Sequence, residues 1–298
     1  MSSFGEMWKA ARNPPKDPTD LSFKGKSVLV TGANTGMGHA AAIKYAALGA
    51  SPLILAVRTR EKGEIAKKEI IQKTGCSPNI FIILTVDLST FASVKKFVDD
   101  LNRQVPKLNV AQLAAGICVN SFKRSPDGHE MTNQVNVLST ALMAVLLLPK
   151  MIETGATPSD DGFVPHMSLI NSVAHNEVTE DIVPPGQSLI QRLDDESKFD
   201  TRAHYFLAKL ATWYVVQGLV DQCRSNGTGS NIVINASCPG LCKTDMGRDF
   251  PTSQRMAMAV TYFLVGRTPE QGARAMVSAT ALGPESNGKF WSNDTYPP

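Results

Sequence analysis

Short, nearly unbroken apolar runs alternate along this chain with longer stretches of helical character. Ser27-Val-Leu-Val-Thr31, bounded by Gly25 and Gly32, reads as a buried strand. The Ala-rich stretch Gly38 to Leu48 reads as a helix, and Leu53 to Val57 as a second strand. The same logic predicts helices over Glu61 to Lys73, Thr90 to Gln104, Gly128 to Ile152 and Thr201 to Cys223. It predicts further strands over Ile80 to Val86, Val110 to Ala115, Met167 to Ser172 and Ile232 to Ala236. Repeated strand and helix alternation with continuous apolar strands implies an α/β architecture: a parallel sheet covered by helices on both faces.

Two stretches depart from that rhythm. Val173 to Ala203 is rich in acids, with Glu177, Glu180, Asp181, Asp194, Asp195, Glu196 and Asp200. Asp245 to Gly266 carries Met246, Phe250, Met256, Met258, Tyr262 and Phe263. Both follow late strands, where loops at the carboxyl ends of a parallel sheet build a crevice, so both are candidate substrate walls. The blander alternatives are a solvated loop for the first and a helix packed on the core for the second. Carboxylates in the first stretch would also suit a substrate with a basic nitrogen.

Composition narrows the class. Of 298 residues, 43% are hydrophobic and 19% charged, as in an ordinary globular protein. A formal net charge of +3 with scattered Lys and Arg gives no footprint for nucleic acid. Five cysteines, Cys76, Cys118, Cys223, Cys238 and Cys242, form no CxxC pair, which speaks against a disulfide framework or a zinc site and for reduced thiols in a cytoplasmic setting. Met1 to Asp20 contains Pro14, Pro15 and Pro18 but no apolar core of a signal peptide, so residues 1–22 read as a flexible leader before a single domain over 23–298. The longest apolar stretch, Ala141 to Pro149, is short of the roughly 20 residues that span a bilayer, so no membrane span is expected.

Candidate chemistry begins at Thr31-Gly32-Ala33-Asn34-Thr35-Gly36-Met37-Gly38, between the first strand and helix. Glycines at this spacing allow a tight turn and close backbone approach to a pyrophosphate, which the free N–H groups of the following helix can hold. At the end of the second strand, no acid stands at Val57 or Arg58 to accept ribose hydroxyls, and Arg58 suits a 2′-phosphate, so NADP is favoured over NAD. Asp87 closes the third strand, where it can meet the adenine amino group or cap the helix beginning near Thr90. Tyr205 and Lys209 lie four residues apart on a predicted helix and so share a face, an arrangement in which a cation can lower a phenol's pKa toward useful acid/base range.

With these motifs in order, the chain resembles the short-chain dehydrogenase/reductase family over roughly Phe23 to Asn293. Within it, the chain is most similar to the branch of retinol dehydrogenase-like carbonyl reductases. Cys238-Pro-Gly-Leu-Cys-Lys-Thr244 and the following Asp245 to Phe250 resemble fungal secondary-metabolite tailoring reductases. The resemblance implies a single-domain Rossmann fold, a doubly wound seven-stranded parallel sheet with helices on both faces and a small substrate-binding lid. It implies a catalytic set of Asn136, Ser172, Tyr205 and Lys209. For the cofactor it implies Gly32, Asn34, Thr35, Gly36, Met37, Gly38, Arg58, Asp87, Leu88, Ala115, Gly116, Tyr205, Lys209, Pro239, Gly240 and Thr244. Arg267 to Ala273 and Gly288 to Trp291 resemble the branch's last helix and strand.

The implied activity is NADPH-dependent reduction of a ketone, aldehyde or imine on a bulky apolar small molecule. The alternatives are the same site run as an alcohol dehydrogenase, or a non-redox cyclase, isomerase or nucleotide-sensing module on the same scaffold. Family members are often homodimers or homotetramers, and the apolar Ala141 to Leu148 face permits that. Three departures stand out: Leu113-Ala-Ala-Gly116 where Asn-Ala-Gly is usual, an amide at Asn171, and a long interval from Ser172 to Tyr205.

Overall fold

A computed structural model describes residues 4–157, 159–229, 231–247 and 249–297. Residues 1–3 of the expected leader and Arg248 of the second candidate wall therefore lie outside the described residues. Seven strands form one parallel sheet: β1 (Val28–Thr31), β2 (Leu53–Val57), β3 (Phe81–Thr85), β4 (Val110–Leu113), β5 (His166–Ile170), β6 (Val233–Cys238) and β7 (Phe290–Ser292). Their order is β3-β2-β1-β4-β5-β6-β7, so the winding direction reverses between β1 and β4. In such sheets the crevice opens at that reversal, outside the carboxyl ends of the strands. Strands β1, β2, β4 and β5 are buried at every position, which is why they read as continuous apolar runs.

Helices cover both faces. On one lie α2 (Gly36–Ala47), α3 (Arg60–Thr74) and α9 (Pro269–Ser278). Their side chains meet Val28, Val30, Leu53, Leu55 and Ile170 in one core. On the other lie α4 (Phe91–Gln104), α5 (Ser139–Ala156) and α7 (Thr201–Ser225). These close over Leu29, Ile54, Ala111, Met167, Leu169 and Ile234. Two further helices are the short α6 (Leu189–Leu193) and the longer α8 (Thr252–Val265).

The first turn of the long helix leading into α5 is a π-helix, Asn133–Leu138, with Asn136 inside it. Together these form a continuous helix, Asn133–Ala156, which among the described residues is long and apolar enough to cross a membrane. Here Met143, Leu147 and Met151 are fully packed in the core against α4. Its apolarity thus has a ready account in packing within the fold.

Two expectations change. Residues 4–22 were expected to be a flexible leader, yet Phe4–Arg12 forms a helix, α1, that packs against α8. The prolines that suggested disorder lie after that helix, in an extended stretch whose Lys16 N–H donates to Asp294 at 2.7 Å. The acidic insertion also does more than sit in solvent. Its Val178, Ile182, Val183, Leu189, Ile190 and Leu193 form a small core with Val137, Leu207, Ala208 and Ala211.

Candidate active site

The glycine-rich turn takes its shape from two backbone requirements. Gly32 and Gly36 have φ of +67° and +57°, which L side chains rarely adopt. Gly38, by contrast, is needed for space, since a Cβ there would lie 2.5 Å from the carbonyl oxygen of Gly32. No side chain caps the start of α2, so the first-turn N–H groups face the cleft without a built-in acceptor.

The cleft at this point has a volume of about 500 Å³. Of the residues expected at a cofactor, Gly32, Asn34, Thr35, Gly36, Met37, Gly38, Arg58, Asp87, Leu88, Ala115, Gly116 and Thr244 line it. Pro239, Gly240, Tyr205 and Lys209 do not; the Pro239 carbonyl accepts from Arg267 at 3.2 Å, in the stretch that leads to Thr244. The glycine cradle, the uncapped helix start and the polar lining fit a dinucleotide phosphate bridge. Lys62, Ser89, Cys118 and Lys123 also line the cleft, and sequence reasoning missed them. Lys62 follows Arg58 by four positions, a signal that was available; Cys118 and Lys123 come from a loop with no motif of its own.

Asp87 does not cap α4. Thr90 does so, accepting from Ser93 N–H at 3.4 Å, while the Asp87 carboxylate accepts from Ser89 N–H at 2.9 Å and shapes the turn at the end of β3. The missing amide at Ala114 is offset locally. The Thr31 hydroxyl accepts from the N–H groups of both Ala114 and Ala115, at 2.8 and 3.0 Å, tying β1 to the end of β4.

Asn136, Ser172, Tyr205 and Lys209 converge beside this cleft from three elements. Asn136 makes a reciprocal pair with Ile117, accepting from its N–H at 2.9 Å and donating to its carbonyl at 2.8 Å. The π-turn makes that reach possible, and the Asn136 carbonyl accepts from the Thr212 hydroxyl of α7 at 3.2 Å. Ser172 follows β5 by two residues; Asn171 fixes it by accepting its N–H at 2.8 Å, the Ser172 hydroxyl accepts from Ala174 N–H at 3.2 Å, and it is near enough to Tyr205 to act on the phenol. Lys209, 5% exposed, donates to the Ile170 carbonyl at 3.1 Å and sits 5.7 Å from the Tyr205 ring centroid.

The electrostatics differ from the sequence expectation. Burial raises the Tyr205 pKa above its ordinary value, with further upward push from the Cys238 and Cys118 thiols, and the Ser172 hydrogen bond works the other way. Lys209 is not among the groups that shift the phenol, and burial draws its own pKa down to about 8. The phenol is therefore firmly protonated near neutrality.

That value carries a stability signature. An unfolded lysine titrates near ~10.4. Between there and about 8 the unfolded chain holds a proton that the folded chain has released, so stability rises with pH across the window. Below it both states are protonated and the full penalty of burying the cation is present. Lys209→Met is expected to gain stability over the wild type below the window and to lose that advantage, by on the order of 3 kcal/mol, above it. Urea unfolding of both proteins without nucleotide across this range checks it, since the unpaired Ile170 carbonyl adds only an offset that pH leaves untouched. A difference that stays flat with pH would show that Lys209 is not depressed.

The candidate walls behave differently from each other. Glu177, Glu180 and Asp181 do not line the cofactor cleft. Asp194 instead accepts from Glu130 N–H at 2.8 Å and Asn133 Nδ2 at 3.0 Å and pairs with His129 at 2.7 Å, pinning the insertion to the start of the π-turn. Asp200 caps α7, accepting from Ala203 N–H at 2.7 Å. In the second wall, Met246 and Asp249 line the cleft, and Tyr262 of α8 lies near enough to Thr244 for that side chain to act on its phenol.

A family model for short chain dehydrogenases matches residues 26–158. The short-chain dehydrogenase/reductase ffsI of Aspergillus flavipes is 40% identical over 293 residues, spanning 98% of this chain and 84% of that protein. The short-chain dehydrogenase/reductase phmF of Phaeosphaeria nodorum is 38% identical over 282 residues, spanning 95% and 81%. Among solved structures, a short chain dehydrogenase/reductase from Burkholderia phymatum in complex with NAD superposes with a TM-score of 0.65 at 20% identity, over 92% of this chain and 90% of that one. An alcohol dehydrogenase from Thermococcus sibiricus complexed with 5-hydroxy-NADP gives 0.63 at 18% identity, over 92% and 99%. At such identities the structural likeness speaks for the fold.

Proposed function

Because the chain belongs to the short-chain dehydrogenase/reductase family of oxidoreductases, we propose that it is an NADPH-dependent reductase of a ketone, aldehyde or imine on a bulky, mostly apolar small molecule, serving secondary metabolism in the cytoplasm. The observation that carries this reading is a protonated, half-buried Tyr205 whose phenol feels the Ser172 hydroxyl, with Lys209 beside it. When bound, the nicotinamide supplies the hydride.

The remaining work falls to side chains. Ser172 orients and polarises the acceptor oxygen by hydrogen bonding. Tyr205 delivers a proton to that oxygen as negative charge develops on it, and the neutral phenol is the form able to do so. Lys209, drawn down to about 8 by burial, can hand a proton back to the phenolate left behind. Asn136, held by Ile117 and Thr212, keeps the π-turn open beside Lys209 and offers a path for water to return the proton.

The oxidative reading uses the same groups in reverse, with direction set by the ratio of reduced to oxidised cofactor. The intact proton-transfer set weighs against a non-redox role. Loss of nicotinamide absorbance that depends on an added carbonyl compound, across a panel of apolar ketones and aldehydes, tests the activity. Absence of turnover with every carbonyl, alongside conversion of an alcohol, would reverse the assigned direction.

For cofactor choice, two cations, Arg58 and Lys62, line the cleft just beyond β2. They suit a 2′-phosphate, with Arg58 able to grip it bidentately. Arg58→Asp is expected to lower kcat/KM with NADPH by about 100-fold and to leave NADH little changed, since a single charge-assisted contact is replaced by repulsion. An unchanged ratio of the two would remove Arg58 from this role.

A further inference from the structure

Arg267 is a charged side chain that the proposed chemistry does not use, and it is only 3% exposed. It lies just after α8 and donates to main-chain and amide oxygens. Its Nε and Nη2 donate to the Ala10 carbonyl at 3.2 and 2.7 Å, and Nη2 also reaches the Asn13 carbonyl at 3.3 Å. Nη2 meets Asn293 Oδ1 at 2.5 Å, and Nη1 donates to the Pro239 carbonyl at 3.2 Å. The carbonyl-rich end of α1 thus faces a buried cation, which a helix C-terminus favours.

The other side of Arg267 faces the loop that carries Thr244 into the cleft. Its N–H donates to the Leu241 carbonyl at 2.8 Å, and its carbonyl accepts from Lys243 N–H at 2.9 Å. Gly240, at φ +76°, lets the guanidinium pass: a Cβ there would sit 2.8 Å from Nη1. Through one side chain, α1 is joined to the stretch immediately before Thr244. Two further contacts secure the segment after α1, with Asp17 paired to Lys44 at 2.7 Å and the Pro15 carbonyl accepting from Arg274 at 3.2 Å.

We propose that α1 is a strap which, through Arg267 as a positioning residue, holds the Pro239 to Thr244 loop in the geometry that receives the nicotinamide end of the cofactor. The physical reason is that a buried guanidinium needs its full set of acceptors. If α1 unwinds, Ala10 and Asn13 withdraw two acceptors and with them three hydrogen bonds, the side chain moves toward water, and its contact with Pro239 goes with it. The loop then loses one wall, and Thr244 its fixed place. This inference rests on the cofactor reading above, so its test separates the two.

Ala10→Pro in the full-length protein removes an N–H inside α1 and clashes with the preceding turn, far from the cleft. Hydrogen exchange is expected to speed by about tenfold or more over residues 239–244 while β1, β2 and β4 stay protected. The NADPH dissociation constant, read by calorimetry, is expected to weaken about five-fold while kcat at saturating cofactor changes less than about two-fold. Arg267→Lys, which keeps the charge and loses the planar fork, is expected to reproduce both changes. Unchanged exchange in 239–244 and unchanged affinity in both variants would overturn the strap. A wild type that binds no nucleotide would instead overturn the cofactor reading, and the exchange result would still decide whether α1 controls the loop.

Discussion

Tyr205→Phe is expected to lower kcat by about 10²- to 10⁴-fold, the range over which a positioned acid accelerates proton transfer. The loss corresponds to roughly 3 to 5 kcal/mol of transition-state stabilisation. The substitution removes one oxygen and keeps the ring, which packs edge-on to Phe206 with centroids 6.5 Å apart. No element of the fold depends on the phenol, and Ser172 keeps its contact with Ala174 N–H at 3.2 Å. Melting temperature and NADPH affinity are therefore expected to stay near the wild-type values, which distinguishes a chemical defect from a structural one. Retention of full turnover by the folded variant would refute Tyr205 as the proton donor.

The second large effect is steric. Gly38→Ala would place a Cβ 2.5 Å from the Gly32 oxygen, 2.9 Å from its carbonyl carbon and 3.0 Å from the Thr31 oxygen, all of them backbone atoms. Alanine improves helix propensity by up to ~1 kcal/mol, whereas overpacking a fixed backbone costs about 1 to 3 kcal/mol, so the clash decides the sign. The strain cannot be relieved at Gly32, because Ala115 Cα already lies 3.2 Å from where a Gly32 Cβ would be. The turn is expected to open, with nucleotide affinity falling by about 10- to 100-fold, equivalent to roughly 1.4 to 2.8 kcal/mol. Gly218→Ala supplies the contrast: nothing lies within 4 Å of that Cβ on α7, so modest stabilisation is expected. Wild-type nucleotide binding by Gly38→Ala would show that the turn yields more easily than its packing implies.

Much of this architecture is legible in the sequence because the sheet is buried on both sides. Continuous apolar runs such as Leu53–Val57 have no competing interpretation at that length, and their helices follow by alternation. Short or mixed elements are harder. Strand β7 is three residues long at the edge of the sheet, beside β6, and is legible through the resemblance alone. Helix α1 was hidden by the prolines that follow it. A π-turn has no periodic signature, and Asn136 was placed by its motif without any sign of the geometry that frees it.

The site shows the same division. Residues carried by motifs, among them Gly32, Gly36, Thr244 and Tyr205, come together in space, whereas their electrostatics do not follow from spacing. Tyr205 and Lys209 share a helical face as expected, yet burial dominates both groups and pushes their pKa values away from the simple pairing. The acidic insertion misled for a related reason. Carboxylates read as a surface charge pattern turn out to cap helices and hold loops, as Asp194 and Asp200 do, and such roles depend on backbone groups that composition does not reveal.

The π-turn at Asn133–Leu138 also sets a rule for how this chain can change over time. A substitution within it alters one side chain, but losing one residue would return the segment to α-helical winding and remove the widened turn that carries Asn136. Asn136 would leave Ile117, and the Asp194 anchor at the start of the turn would be pulled out of register. Descendants of this gene can therefore vary the letters of the turn far more freely than its length.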